Sequence, residues 1–181
     1  MIANRLWGRA GRLALAALGV WAFAGPALKA QSDGDTPGGS TDRSFALAAN
    51  SGGLAEVKLG RLAQQKGQSE KVKAFGERMA MDHGKAGGDL KQAAEKSGIR
   101  LPAGMNRKDQ EVCQRLAKLE GPAFDQAYAE AMVKDHEEDV AAFEREAAGG
   151  QDPSIKDFAR RTLPTLQEHL RLAREMARAV S

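Results

Sequence analysis

Histidine is nearly missing from this 181-residue chain, which has three, and cysteine is scarcer still, with Cys113 alone. A single cysteine closes no disulfide within the chain and forms no Cys-x-x-Cys redox or zinc pair. Its reading is a small buried apolar residue on a short helix. Aromatics make up 5% of the chain, and both tryptophans, Trp7 and Trp21, fall in the first 21 positions. No alternating run of β-branched residues is long enough to suggest a strand, and no nucleophile elbow or phosphate loop is present. The enzyme question stays open, because no catalytic motif answers it.

An excess of one charge sign is also lacking once the N-terminus is set aside. The formal net charge is +3 and the pI about 9.1. Residues 1–30 carry Arg5, Arg9, Arg12 and Lys29 and no acid, so the remainder holds 23 basic residues against 24 acidic ones. Both signs are interspersed on every predicted helix. No basic stripe tracks phosphates, which argues against nucleic acid as a partner.

The apolar run "LALAALGVWAFA", residues 13–24, follows the three arginines and precedes small residues and Pro26. A charged start, a short apolar stretch and a small-residue exit predict a signal peptide over 1–30, cleaved after Ala27 or Ala30, and export to the periplasm or cell envelope. Twelve residues are too few to span a bilayer comfortably, so no transmembrane segment is expected after cleavage. Residues 31–44, "QSDGDTPGGSTDRS", read as a disordered polar linker. The domain proper is expected over 45–181.

Helical punctuation organises that domain. A first helix is predicted from about Ser44 to Lys66, stopped by Gly67. A second, capped by Ser69, runs to about Ser97, before Gly98. Asn106 caps a short helix reaching Glu120. A third long helix runs from Pro122 to about Ala148, and Asp152 with Pro153 opens a fourth that continues to the C-terminus. The class is all-α, and the link between the second and third long helices suits either antiparallel neighbours or a crossover.

Each long helix carries one apolar stripe at the 3.6-residue period, as a bundle requires. The stripes are Phe45/Ala49/Gly52/Leu59/Ala63, Val72/Phe75/Met79/Leu90, Phe124/Tyr128/Met132/Val140/Phe143 and Ile155/Phe158/Thr162/Leu166/Ala173/Met176. One polar residue interrupts each near its centre: Glu56, His83, His136 and His169 in turn. At about 1.5 Å per residue the four lie at similar depths and can share one layer. If about a third of helix positions face the core, three histidines would all do so by chance about once in thirty. Two of them sit in repeated segments, "FGERMAMDH" and "YAEAMVKDH", 53 residues apart, where Phe75/Met79/His83 and Tyr128/Met132/His136 write the same inward row twice.

The stretches "FALAANSGGLAEVKLGRLAQQKGQSEKVKAFGERMAMDH", "LEGPAFDQAYAEAMVKDHEEDVAAFEREA" and "IKDFARRTLPTLQEHL" together resemble the bacterial exported family known as domain of unknown function 4142, over residues 45–177. Matching positions are Glu56, His83, His136 and His169, with the pairs Phe124-Asp125 and Leu163-Pro164. The resemblance implies a ferritin-like four-helix bundle, here with an additional short helix between helices two and three. It implies no settled activity.

Neutral imidazoles and a carboxylate meeting in a dry core suit one divalent ion of zinc, copper or iron, with Glu56, His83, His136 and His169 as ligands. Di-iron chemistry is disfavoured: it needs a Glu three residues before a histidine on two helices, where this chain has Ala80, Val133 and Leu166. Met79 and Met132, a turn from their histidines, are ordinary core residues on this reading, and copper(I) ligands on the sharper one. The competing reading of the layer is a metal-free buried polar cluster in a structural or interaction bundle. A third casts the chain as an envelope protein binding metal or a small ligand, or serving a stress response. Asp82, Asp135 and Glu168 precede the histidines and lie about 100° off the stripes; they either orient an imidazole of a neighbouring helix or are solvated flanks, the commoner outcome. Gly52 and Gly87, mid-helix, either let backbones approach or leave a pocket beside the layer. Pro164 is expected to kink its helix.

Overall fold

A computed structural model describes residues 37–181, with side chains from Thr41 onward. The predicted signal peptide and residues 31–36 of the predicted linker lie outside the described residues. Within them, five helices and no strand form the chain: α1 (Pro37–Lys66), α2 (Glu70–Lys96), α3 (Arg107–Ala117), α4 (Gly121–Gly149) and α5 (Pro153–Val180).

Local chemistry places most of the boundaries. Ser69 accepts from Lys71 N at the start of α2, Asn106 from Asp109 N at the start of α3, and Asp152 from Ser154 N and Ile155 N at the start of α5. Gly98 and Gly121 take positive φ, +64° and +57°, where a side chain would be strained, and so end one helix and open another. α3 stops at Ala117, short of Glu120; Lys66 Nζ donates to the carbonyls of Ala117 and Leu119, at 2.7 and 3.2 Å, and takes up the acceptors that a helix end leaves open. α5 runs continuously through Pro164.

The largest departure from the expected boundaries is at the start of α1. α1 begins at Pro37, inside the stretch expected as linker. The reason is Asp42, which is buried and accepts hydrogen bonds from Gln151 N (3.1 Å) and Asp152 N (2.6 Å) in the turn between α4 and α5. A polar segment thus gains a fixed partner that its composition does not reveal.

The long helices pack in the cyclic order α1, α2, α5, α4, with α1 against α2 and α4 against α5 most extensively; α3 lies mainly on α1. Asp42, Ser97 and Asp152 meet at one end of the bundle, since Ser97 Oγ also donates to Asp152 Oδ1 at 2.7 Å. At the other end Asp125, near the start of α4, accepts from Gln68 N and Ser69 N ahead of α2. α2 therefore finishes where α5 begins, α4 starts at the opposite end, and the segment carrying α3 crosses the length of the bundle between diagonal helices. That single crossover is the ferritin-like connection.

The core has two apolar parts. Leu59, Phe75, Met79, Phe124, Tyr128 and Met132 belong to one; Ala46, Leu90, Phe143, Ile155, Phe158 and Leu166 belong to the other. Between them in each helix stands the polar residue that broke the stripe.

Candidate metal centre

Glu56, His83, His136 and His169 are all buried, at 0%, 6%, 0% and 0% relative exposure. Each sits where its helix faces the axis, flanked along the helix by apolar residues of the two core parts. The histidine ring centroids lie 5.7 Å (His83–His136), 5.2 Å (His83–His169) and 5.4 Å (His136–His169) apart. One ring nitrogen from each comes within 4.8 Å of the others. The shared layer expected from the sequence is present.

The hydrogen bonds assign the tautomers. His136 Nδ1 lies 2.9 Å from the Met132 carbonyl, which only accepts, so Nδ1 carries the proton and donates it. His169 Nε2 donates to Asp82 Oδ2 at 2.8 Å. His83 Nδ1 faces Glu56 Oε2 at 2.7 Å, off the line of a hydrogen bond. The opposite nitrogens, His136 Nε2, His169 Nδ1 and His83 Nε2, are buried and have no hydrogen-bond partner. In His136 and His169 an oxygen orients the ring on one side and leaves a lone pair on the other, the arrangement that metal-bound imidazoles require.

Glu56 closes the layer from α1. Its Oε1 is 3.3 Å from His136 Nε2, and neither carboxyl oxygen has an aligned hydrogen bond. Neighbouring N/O ligands in a tetrahedral shell stand about 3.3 Å apart, a spacing this oxygen keeps to His136 alone; the ring nitrogens that lie within 4.8 Å of one another are those of the three histidines. Burial, reinforced by Asp135 and Asp109, raises the Glu56 pKa well above the ordinary carboxyl range. Burial lowers all three histidines; at His136, lowered to about 3, and at His169, lowered to about 4, repulsion from neighbouring rings helps, whereas at His83 burial prevails over Asp139, Asp135 and Asp82. The rings are accordingly neutral at pH 7, ready as ligands without first losing a proton. A cation entering the layer would draw Glu56 back to its ionised form.

Of the acids beside the histidines, Asp82 departs from the solvated-flank outcome. It reaches from α2 to the imidazole of α5 and holds it. Glu168 pairs on the surface with Arg171, as a solvated flank does. Asp135 is half-buried, with its pKa raised to about 6 by burial and by Asp109. Met79 and Met132 lie in the apolar part of the core below the layer. Cys113 is buried beside Met105, and burial raises its thiol pKa. Two residues were missed as part of the site. Tyr128, taken as plain core, is fully buried with a hydroxyl that has no partner, and its pKa is raised by burial and then by Glu56. Asp139, one turn beyond His136, is half-buried against Glu56 and carries a raised pKa; its i+3 spacing from His136 was the available signal.

Comparison with known families places the chain. The family described as domain of unknown function DUF4142 matches residues 26–176. The chain belongs to it. No curated protein and no solved structure matches the chain. For this DUF4142 member the chemistry therefore has to be read from the layer itself. Leaving a buried polar group without a partner costs about 1–3 kcal/mol, and three ring nitrogens and two carboxyl oxygens do so here within one layer. One cation satisfies several of them together. The nitrogens need draw in by at most about 1.5 Å to reach tetrahedral spacing. The three buried imidazoles stand close enough together to hold a metal ion.

Proposed function

We propose that this DUF4142 protein is an exported bundle that binds one divalent transition-metal ion through His83, His136 and His169, with Glu56 as fourth ligand. The observation that carries this reading is the trio of unpartnered ring nitrogens, each opposite a nitrogen already oriented or faced by oxygen. Three neutral nitrogens and one oxygen suit zinc most closely; copper(II) and iron(II) accept the same atoms. The supply of carboxylates argues for one ion, since the histidines lack the Glu-x-x-His spacing. Export rests on the charged and apolar pattern of residues 1–30.

Elemental analysis of the full chain, dialysed against zinc, copper or iron and then against buffer, tests the reading. One ion retained per chain, lost in both His83→Ala and His136→Ala, is the expected result. A second reading, a metal-free polar layer that sets helix register, has the Asp82–His169 bond between α2 and α5 in its favour. It predicts no retained ion and a melting temperature indifferent to chelator.

A further inference from the structure

An apolar cleft of about 670 Å³ opens beside the layer, between α1 and α2 and beneath the crossover segment 99–103. Leu90, Phe143, Phe158 and Leu166 line it, and Glu56, His83 and Asp139 form its inner end. Asn50 Nδ2 donates to the Pro102 carbonyl at 2.9 Å and ties the covering segment to α1. The cleft is kept clear by glycines: Cβ atoms built at Gly53, Gly84 and Gly87 would meet nothing within 4 Å. A mid-helix glycine is less stable than alanine, so three at one opening, with room for side chains, maintain the space at a loss of stability.

The inner end is acidic. Glu56 is fully buried, lines the cleft, and has no aligned partner on either oxygen. Asp135 and Asp109 are the charges bearing most on it, and Glu56 and Asp135 those bearing most on Asp139. Lys108 is committed to Glu138 on the outer surface, and Lys91 and Arg100 are exposed residues of the cleft lining. Space of this size, apolar along its walls, suits an organic molecule of drug size.

We infer that the cleft binds a hydrophobic amine, its alkyl or aryl tail against Leu90, Phe143, Phe158 and Leu166 and its ammonium head turned to Glu56 and Asp139. The site shares Glu56 with the proposed metal centre but needs no ion. A metal and an ammonium group at the same carboxylate repel, so the two ligands compete.

Calorimetric titration of the metal-free full chain with butylamine, hexylamine and octylamine, and with 1-octanol as the uncharged counterpart, tests the inference. Saturable amine binding is expected to tighten about three- to fourfold per added methylene. Octanol is expected to bind about tenfold or more weakly, lacking the charge-assisted hydrogen bond. Gly87→Leu fills the cleft and should abolish octylamine binding while zinc retention holds and the melting temperature does not fall; Gly53→Leu repeats this from the opposite wall. Asp139→Asn should reduce the preference for amine over alcohol, with Glu56 holding the remainder. The inference is overturned by absent amine binding, by equal binding of octanol, or by octylamine binding that survives both glycine replacements. Zinc retention without amine binding sinks this inference alone, and amine binding without zinc retention sinks the metal centre alone.

Discussion

His169 gives Nε2 to Asp82 and keeps Nδ1 for the layer, so the carboxylate decides which nitrogen can meet a cation. Asp82 is half-buried and also close to Arg78, at 3.3 Å, so its removal frees a ring without emptying the core. Asp82→Asn is expected to leave the fold intact and to weaken zinc binding about 10- to 100-fold, read by competition with a chromophoric chelator. An unchanged affinity would make the bond to His169 a helix contact only. Tyr128 offers the opposite test. Its hydroxyl is buried without a partner, so Tyr128→Phe should leave stability unchanged or raise it by up to about 1 kcal/mol in denaturant unfolding of the metal-free chain. A loss of more than about 1 kcal/mol would show that the hydroxyl has a partner in solution.

At the scale of elements, the glycines of α1 and α2 divide into two kinds. A Cβ on Gly76 would stand 2.6 Å from the Gly60 carbonyl oxygen, and one on Gly60 2.5 Å from that of Gly76, so the helices cross backbone to backbone there. Gly52 and Gly87 meet nothing, and of the two roles weighed for them they serve the open one. Gly76→Ala should therefore lower stability by about 1–3 kcal/mol through overpacking, whereas Gly87→Ala should raise it by up to about 1 kcal/mol; paired thermal melts decide. What the sequence disclosed follows the same division between near and far. Ser69, Asn106 and Asp152 bond within three residues of themselves and were legible as caps. The layer was legible because Glu56 and the histidines each break a 3.6-residue stripe. The start of α1 was not, since the amides that hold Asp42 are 109 and 110 residues away. The role of Asp82 was legible only as the less common of two alternatives, because its imidazole lies 87 positions on. The Gly60–Gly76 contact requires knowing which faces of α1 and α2 touch.

Over the whole bundle, the two ends are fastened alike, each by a buried aspartate from one helix holding backbone amides of a distant turn: Asp125 at Gln68 and Ser69, Asp42 at Gln151 and Asp152. They differ in what surrounds the fastening. Glu146, near the end of α4, shares a hydrogen bond with Asp42; burial first, then Asp42 and Asp152, raise its pKa to about 7, with Lys156 opposing. A carboxyl with a raised folded pKa binds its proton more tightly folded than unfolded. Its stabilising contribution is complete below the ordinary carboxyl pKa and is lost as pH rises through about 7. The histidine layer runs the other way, since its lowered pKa values favour the fold above about pH 6.5 and lose that advantage as the medium turns acid. A plain melting curve against pH mixes both. Glu146→Gln separates them, because a neutral amide stands in for the protonated acid at every pH. The melting temperature of the wild type minus that of the variant should fall between about pH 5 and about pH 8. A difference that stays level would mean that Glu146 is ionised in the fold and that Asp42 is held by its backbone amides alone.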